Sequence, residues 1–299
     1  MVSVQELKDG EEEHLTTGAE PVLKAVPVRH PGRWLAVAVV LVLLAMLVHA
    51  LVTNSAFQWD VVARYFTADA VLLGLRTTLE LTAVALLGGF VIGIVLALMR
   101  LSGNWVLSSL SWAYTWLFRS VPLLVQLLFW YNIPLLYPKL SIGIPFGPEL
   151  STFSTKNLIG GVAAAVIGLT LHEGAQAAEI VRAGILSVGR GQREAAAALG
   201  LSRTRILRRI VLPQAMRVII PPMGNQAINL LKGTAIVSVI AVQDLLFATQ
   251  VIYNSNYLII PLLLVATLWY VVVTSIMGIA QYYVERHYSR GGPERRGGR

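Results

Sequence analysis

The 299-residue chain is 56% hydrophobic and only 13% charged, with positive mean hydropathy, which is too apolar for a water-soluble protein of this length. Its formal charge of +8 comes mainly from arginine and, in a membrane protein, records which loops stay in the cytoplasm; no nucleic-acid partner is implied. The absence of cysteine excludes disulfides, thiolate nucleophiles and Cys-based metal sites, and the five histidines make no pair at ligand spacing, so no metal site is expected.

Residues 1–33 are polar, carry the acidic run DGEEEH and read as a disordered tail. Residues 34–53 (WLAVAVVLVLLAMLVHALVT) are long enough to cross hydrocarbon and read as a retained anchor, since a cleaved signal would want a short basic lead. The second span covers 77–99, where Gly88, Gly89 and Gly93 suit close helix approach in lipid. Residues 105–118 suggest an amphipathic interfacial helix, and SVPLLVQLLFWYNIPLLY after Arg119 a third span. An exposed loop follows at 138–157, rich in Pro, Gly and Ser.

The fourth span, about 158–185, contains Glu173, Gln176, Glu179 and Arg182 within LHEGAQAAEIVR. The fifth, 215–241, is expected to be broken at Pro221-Pro222 and carries Asn225, Gln226, Asn229 and Lys232. The sixth, about 258–283, leads into a basic tail at 286–299. Six spans put both termini on one side. Placing that side in the cytoplasm keeps the arginines of 182–217, Arg100, Arg119 and both tails inside, leaving only Arg64, Arg76, Lys139 and Lys156 outside.

Between the fourth and fifth spans lies REAAAALGLSRTRILRRIVLP, residues 193–213. Its first half is a strong helix former, Glu194 suits the positive end of the helix dipole, and Gly200 is placed to supply a left-handed stop. Ser202 is expected to cap a second short helix that ends at Pro213. Topological anchoring explains the arginines. It does not explain the alanines, whose small side chains make a slim helix suited to a partner's groove.

This stretch resembles the EAA motif, EAA-x3-G-x9-I-x-L-P, of permease subunits of bacterial ABC importers: Glu194, Ala195, Ala196, Gly200, Ile210, Leu212 and Pro213 fall at its spacing, with Leu201 and Arg203 beside the turn. TTLELT (77–82), FRSVPLLVQ (118–126) and AEIVRAGI (178–185) are similar to the polar amino-acid branch. The chain departs from that branch at LLKGTAIVS, where Gly233 and Ala235 replace an acidic residue and a serine. The resemblance implies a type I importer permease core over 72–285, with the first span added and residues 186–213 as the cytoplasmic coupling loop. It implies two ATP-binding subunits, a second permease copy or related permease, and an extracytoplasmic solute-binding protein in a bacterial cell membrane. ATP and magnesium would sit on the ATPase partner, since this chain has no GxxxxGK[ST] loop and no cofactor of its own.

Ionisable and amide groups within spans mark pathways or internal pairs. Glu173, Gln176, Glu179, Asn225, Gln226, Asn229 and Lys232 are therefore the candidates for a solute pathway; Glu173 and Lys232 are placed to pair, and Glu179 and Arg182 to form a structural pair. The expected function is import of polar amino acids or similar small zwitterionic solutes. The alternative is a membrane-embedded scaffold or enzyme, for which no nucleophile–base or metal constellation is evident.

Overall fold

The computed structural model describes residues 31–143 and 149–289, so most of the expected N-terminal tail, the tip of the 138–157 segment and the end of the basic tail lie outside the described residues. The described chain divides into two units, one ending at Asn54 and the other starting at Ser55. The described part of the first unit is a single helix, α1 (Pro31–Thr53), whose apolar side chains point outward on every side. A helix apolar all round has no stripe to bury in a core and is suited to lipid.

The second unit opens with a short amphipathic helix, α2 (Trp59–Phe66), followed by α3 (Asp69–Arg100), α4 (Trp105–Ser120) and α5 (Leu123–Leu136). A two-stranded antiparallel hairpin comes next, β1 (Lys139–Gly143) with β2 (Glu149–Ser154), where a plain loop is expected. Proline and glycine composition marks turns but does not show cross-strand pairing such as Leu140 opposite Phe153. The chain continues through α6 (Thr155–Leu158), α7 (Gly161–Leu186), α8 (Arg190–Ala198), α9 (Arg203–Ile206), a π-helical turn (Leu207–Val211), α10 (Leu212–Gly233), a 3-10 segment (Thr234–Ile240), α11 (Leu245–Asn256) and α12 (Ile259–Ser289).

Among the described residues, α1, α3 and α12 are long and apolar enough to cross a membrane by length and composition, and α10 with its 3-10 extension and α11, bent by 44°, makes a fourth. The remaining expected spans correspond to α5, which has only 14 residues, and α7, which carries Glu173 and Glu179. α7 is instead the centre of the bundle. A Cβ on Gly89 would lie 2.6 Å from the Glu173 Cβ, and one on Gly93 would lie 2.5 Å from the Ala177 Cβ. These glycines let α3 and α7 approach backbone to backbone, as the sequence suggests.

The pairings also set direction. Gly88, Gly89 and Gly93 meet Thr170, Glu173 and Ala177 in rising order, so α3 and α7 run parallel. Ser111 donates to Leu96 O and Arg100 Nη1 to Ser108 O, which sets α4 antiparallel to α3. Gly184 packs on Ile219 while Gln226 bonds Glu173, which sets α10 antiparallel to α7. Gln281 reaches Pro221 O and Tyr270 reaches Asp244, so α12 returns parallel to α7. The turn after Arg100, the 187–211 segment and the end of α12 consequently share one end of the bundle.

Three local expectations change. The α4 helix is no isolated interfacial helix: it buries the hydroxyl face of Ser111 and Thr115 against the bundle and leaves Trp105, Trp112 and Trp116 outside. Lipid does not penalise outward apolar groups, and small hydroxyl residues pack closely and find carbonyls inside. Pro221 and Pro222 do not break α10, which continues to Gly233; the real interruption is the 3-10 segment and Ala241, which has φ 55°. Pro213 does not end a helix either. It sits in the first turn of α10, after a π turn in which Leu212 N–H donates to Leu207 O, and a proline's missing N–H is tolerated at a helix start.

Candidate functional site

The segment expected to couple is built around a glycine stop. α8 ends at Ala198, and Gly200 adopts φ +76°. Leu201 N–H donates to Ala196 O at 3.1 Å and Gly200 N–H to Ala197 O at 2.9 Å. This is a Schellman ending, in which a left-handed residue turns the chain and supplies donors for carbonyls the helix leaves unsatisfied. Ala196 and Leu201 join the apolar contact that accompanies it, within a cluster containing Ala97, Val181, Ile206, Val211 and Ile219.

That cluster sorts the motif residues by role. Ala196 is buried, and Leu201 and Ile210 are half-buried, so they anchor the segment to the bundle. Glu194, Ala195, Gly200, Arg203, Leu212 and Pro213 are exposed and form its outer face. At the tip Leu199 is 83% exposed, beside the glycine turn, and residue type alone did not single it out. Gln214 Nε2 donates to Gln192 Oε1 at 2.6 Å, tying α8 to the start of α10. Ser202 occupies the position before α9 without a side-chain capping bond.

The polar groups inside the bundle divide in two. Glu173 is fully buried on α7, and its Oε2 accepts from Gln226 Nε2 at 3.0 Å. Lys232 is exposed and does not pair with it: among the described residues the salt bridges are Arg76–Glu80 and Arg182–Glu179. The reason is rotational phase, because Lys232 stands six residues past Gln226, about 240° around the helix and about 9 Å along it. Glu179 and Arg182 do pair, at 2.7 Å.

Asn225, Asn229 and Lys232 recur at helical spacing and are exposed together on one side of α10. Gln176 and Glu179 line a recess with Trp112, Thr115, Trp116, Arg119 and Ser120, in which the two indoles stack 6.1 Å apart. Arg119, expected on the cytoplasmic side with Arg100, instead lies well along the bundle from the α3–α4 turn, because α4 runs antiparallel to α3 and carries it away from that end. No cluster of His, Asp or Glu suited to a metal occurs among the described residues.

A bundle of parallel and antiparallel helices, with an exposed glycine-turned helix at one end and a buried polar core, is the architecture of a membrane transport subunit. The comparisons place it: residues 89–290 match the family of binding-protein-dependent transport system inner membrane components, and the chain belongs to that family. It is 41% identical over 277 residues to the arginine transport system permease protein ArgU of Corynebacterium glutamicum, covering 92% of this chain and 86% of that protein. It is 30% identical over 230 residues to the glutamine transport system permease protein GlnP of Escherichia coli K12, covering 77% of this chain and 97% of that one. A crystal structure of an amino acid ABC transporter with histidines matches with a TM-score of 0.62 at 33% identity, over 73% of this chain and 94% of that chain. The inward-facing MetNI methionine transporter, at 21% identity and a TM-score of 0.57, shares the fold. The first match is too long to stop short of α1, whereas the second covers nearly all of a shorter relative.

Proposed function

We propose that the chain is the membrane-spanning permease of an ATP-driven importer of polar amino acids or similar small zwitterionic solutes. ATP and magnesium are held by two separate subunits that grip the α8–Gly200 turn, an extracytoplasmic binding protein delivers the solute, and a second copy or related permease completes the pathway. Relatives named for arginine and glutamine transport support the solute class. The observation that carries the coupling role is the exposed face of Ala195, Ala197, Ala198 and Leu199, ended by a left-handed glycine and backed by a buried apolar cluster that includes Ala196. A docking helix must be slim outside and rigid behind, because force passes only through an element that does not yield.

Within the membrane, Asn225, Asn229 and Lys232 on α10, with Gln176 and Glu179 on α7, form the polar lining of the solute route, while the buried Glu173 and the half-buried Gln226 are bonded to each other within the bundle. Exposed amides on a lipid-facing helix are costly, so this side of α10 faces water, solute or the second permease. Both tails and residues 186–213 are cytoplasmic, and the added anchor precedes the 72–285 core in sequence.

Reconstitution tests the reading. The permease with its ATPase subunits and binding protein in liposomes is expected to hydrolyse ATP faster when L-arginine or L-glutamine is supplied outside and to accumulate the labelled solute. The permease alone is expected to do neither. ATP hydrolysis by the purified single chain would overturn it.

A further inference from the structure

Two glutamines stand four residues past a proline: Gln126 after Pro122 and Gln226 after Pro222. Their side chains reach consecutive residues of the central helix. Gln126 Nε2 donates its two hydrogens to Phe118 O at 2.9 Å and Val121 O at 2.8 Å, and packs 3.2 Å from His172 Nδ1 as a contact without a hydrogen bond. Phe118 O is the carbonyl that Pro122, lacking an N–H, leaves without its helical donor, so the amide replaces a missing backbone bond while touching α7. Gln226 Nε2 donates to Glu173 Oε2 at 3.0 Å. Neighbouring residues on a helix point about 100° apart, so His172 and Glu173 face different partners from one spot on α7.

We infer that His172 and Glu173 are positioning residues forming one node, which ties the two proline-bearing helices, α4–α5 and α10, to the rigid centre of the bundle and keeps their movements linked during transport. The inference rests on the reading of the chain as a permease. α4 and α5 part at Pro122, and α10, though continuous, lacks the N–H donors of Pro221 and Pro222; a helix missing such bonds bends most easily, and the Gln126–His172 contact and the Gln226–Glu173 bond each lie about one turn from that place. Gln126 Oε1 and Glu173 Oε1 are buried and meet no protein donor, so each side chain keeps an acceptor with which to take another partner as the helices shift. The α3–α7 contact at Gly89, where a Cβ would lie 2.6 Å from the Glu173 Cβ, holds the node against α3. Losing either amide therefore releases one arm while leaving the apolar packing in place.

The test uses the full complex in liposomes and reads labelled L-arginine or L-glutamine taken up per ATP hydrolysed. Gln126→Leu and Gln226→Leu are each expected to lower that ratio roughly tenfold, the effect of one hydrogen bond involving a charged or buried partner, with basal ATP hydrolysis kept or raised. The double variant is expected to lose no more than about twofold beyond the worse single variant, because arms acting through one node are not independent. Gln226→Glu alone is expected to fail, and the isosteric exchange of Glu173→Gln with Gln226→Glu to restore the ratio to within about twofold. An unchanged ratio in the single variants at normal membrane levels, multiplying losses in the double variant, or no recovery in the exchange overturns the node. If the leucine variants do not accumulate, the exchange decides alone. A wild-type complex that neither of the two solutes stimulates overturns the permease reading itself, and the node with it.

Discussion

Gly200 and Gly93 do different work, and substitution separates them. Gly200 needs its φ of +76° and has open space around its Cα, so Gly200→Val is opposed by backbone conformation alone. A β-branched residue there costs roughly 1–3 kcal/mol and redirects α9. The variant is expected to reach the membrane at normal levels while transport and solute-stimulated ATP hydrolysis fall together; near-normal uptake would reduce the stretch to an anchor. Gly93 has ordinary helical dihedrals but no room, since a Cβ would lie 2.8 Å from the Ala178 nitrogen. Gly93→Val is expected to force α3 and α7 apart, costing about 1–3 kcal/mol or more and lowering the melting temperature in detergent. Gly103→Val, in open space, is expected to leave it unchanged. The turn at Gly200 was legible because a local pattern dictates it. The true partner of Glu173 was not, because pairing depends on the rotation of two helices about their axes.

At the scale of elements, proline was the least reliable guide. Pro122 does interrupt a helix, with Val121 extended and Gln126 covering the freed carbonyls. Pro213, Pro221 and Pro222 sit within α10 without ending it. The break that matters follows Gly233, where a 3-10 segment runs to Ala241 in the left-handed region, and Asp244 then caps α11 by accepting from Leu246 N–H and Phe247 N–H. Thr78 on α3 accepts from Leu245 N–H at 3.0 Å, locking the re-entry to the bundle. No composition signal marks Ala241, because the turn is closed locally, by Ala241 N–H on Ser238 O and Val242 N–H on Val237 O, with an alanine where glycine is the usual residue. A left-handed alanine is strained by about 1–2 kcal/mol relative to glycine. Ala241→Gly is expected to leave the melting temperature unchanged or raise it, and Ala241→Val to lower it; the reverse order would mean that side-chain packing controls the bend.

The whole molecule carries its charge asymmetrically. The turn after Arg100, the arginine-bearing 187–211 segment and the end of α12 lie at one end of the bundle, and the hairpin and the α11–α12 turn at the other, so the positive-inside rule assigns the first end to the cytoplasm. The chain has no cysteine, which makes this testable without background. Cysteines introduced at Ser3, Ser202 and Ser289 are expected to resist a membrane-impermeant thiol reagent in intact cells, whereas one at Ser151 in the hairpin is expected to react. Labelling at Ser202 would invert the model and separate the coupling turn from cytosolic ATPase subunits.

The membrane character, the apolar helix at 34–53, the helix and glycine turn at 193–200 and the family likeness are determined by the sequence itself, since hydropathy, helix propensity and a glycine stop act over neighbouring residues. The tertiary structure decided which polar groups meet. Glu173 takes Gln226 and leaves Lys232 exposed, Arg119 sits beside Glu179, and α7 becomes the buried centre through glycines on α3. Each of these depends on helix rotation, depth and direction, which are set by contacts between residues far apart in the chain and have no local signature.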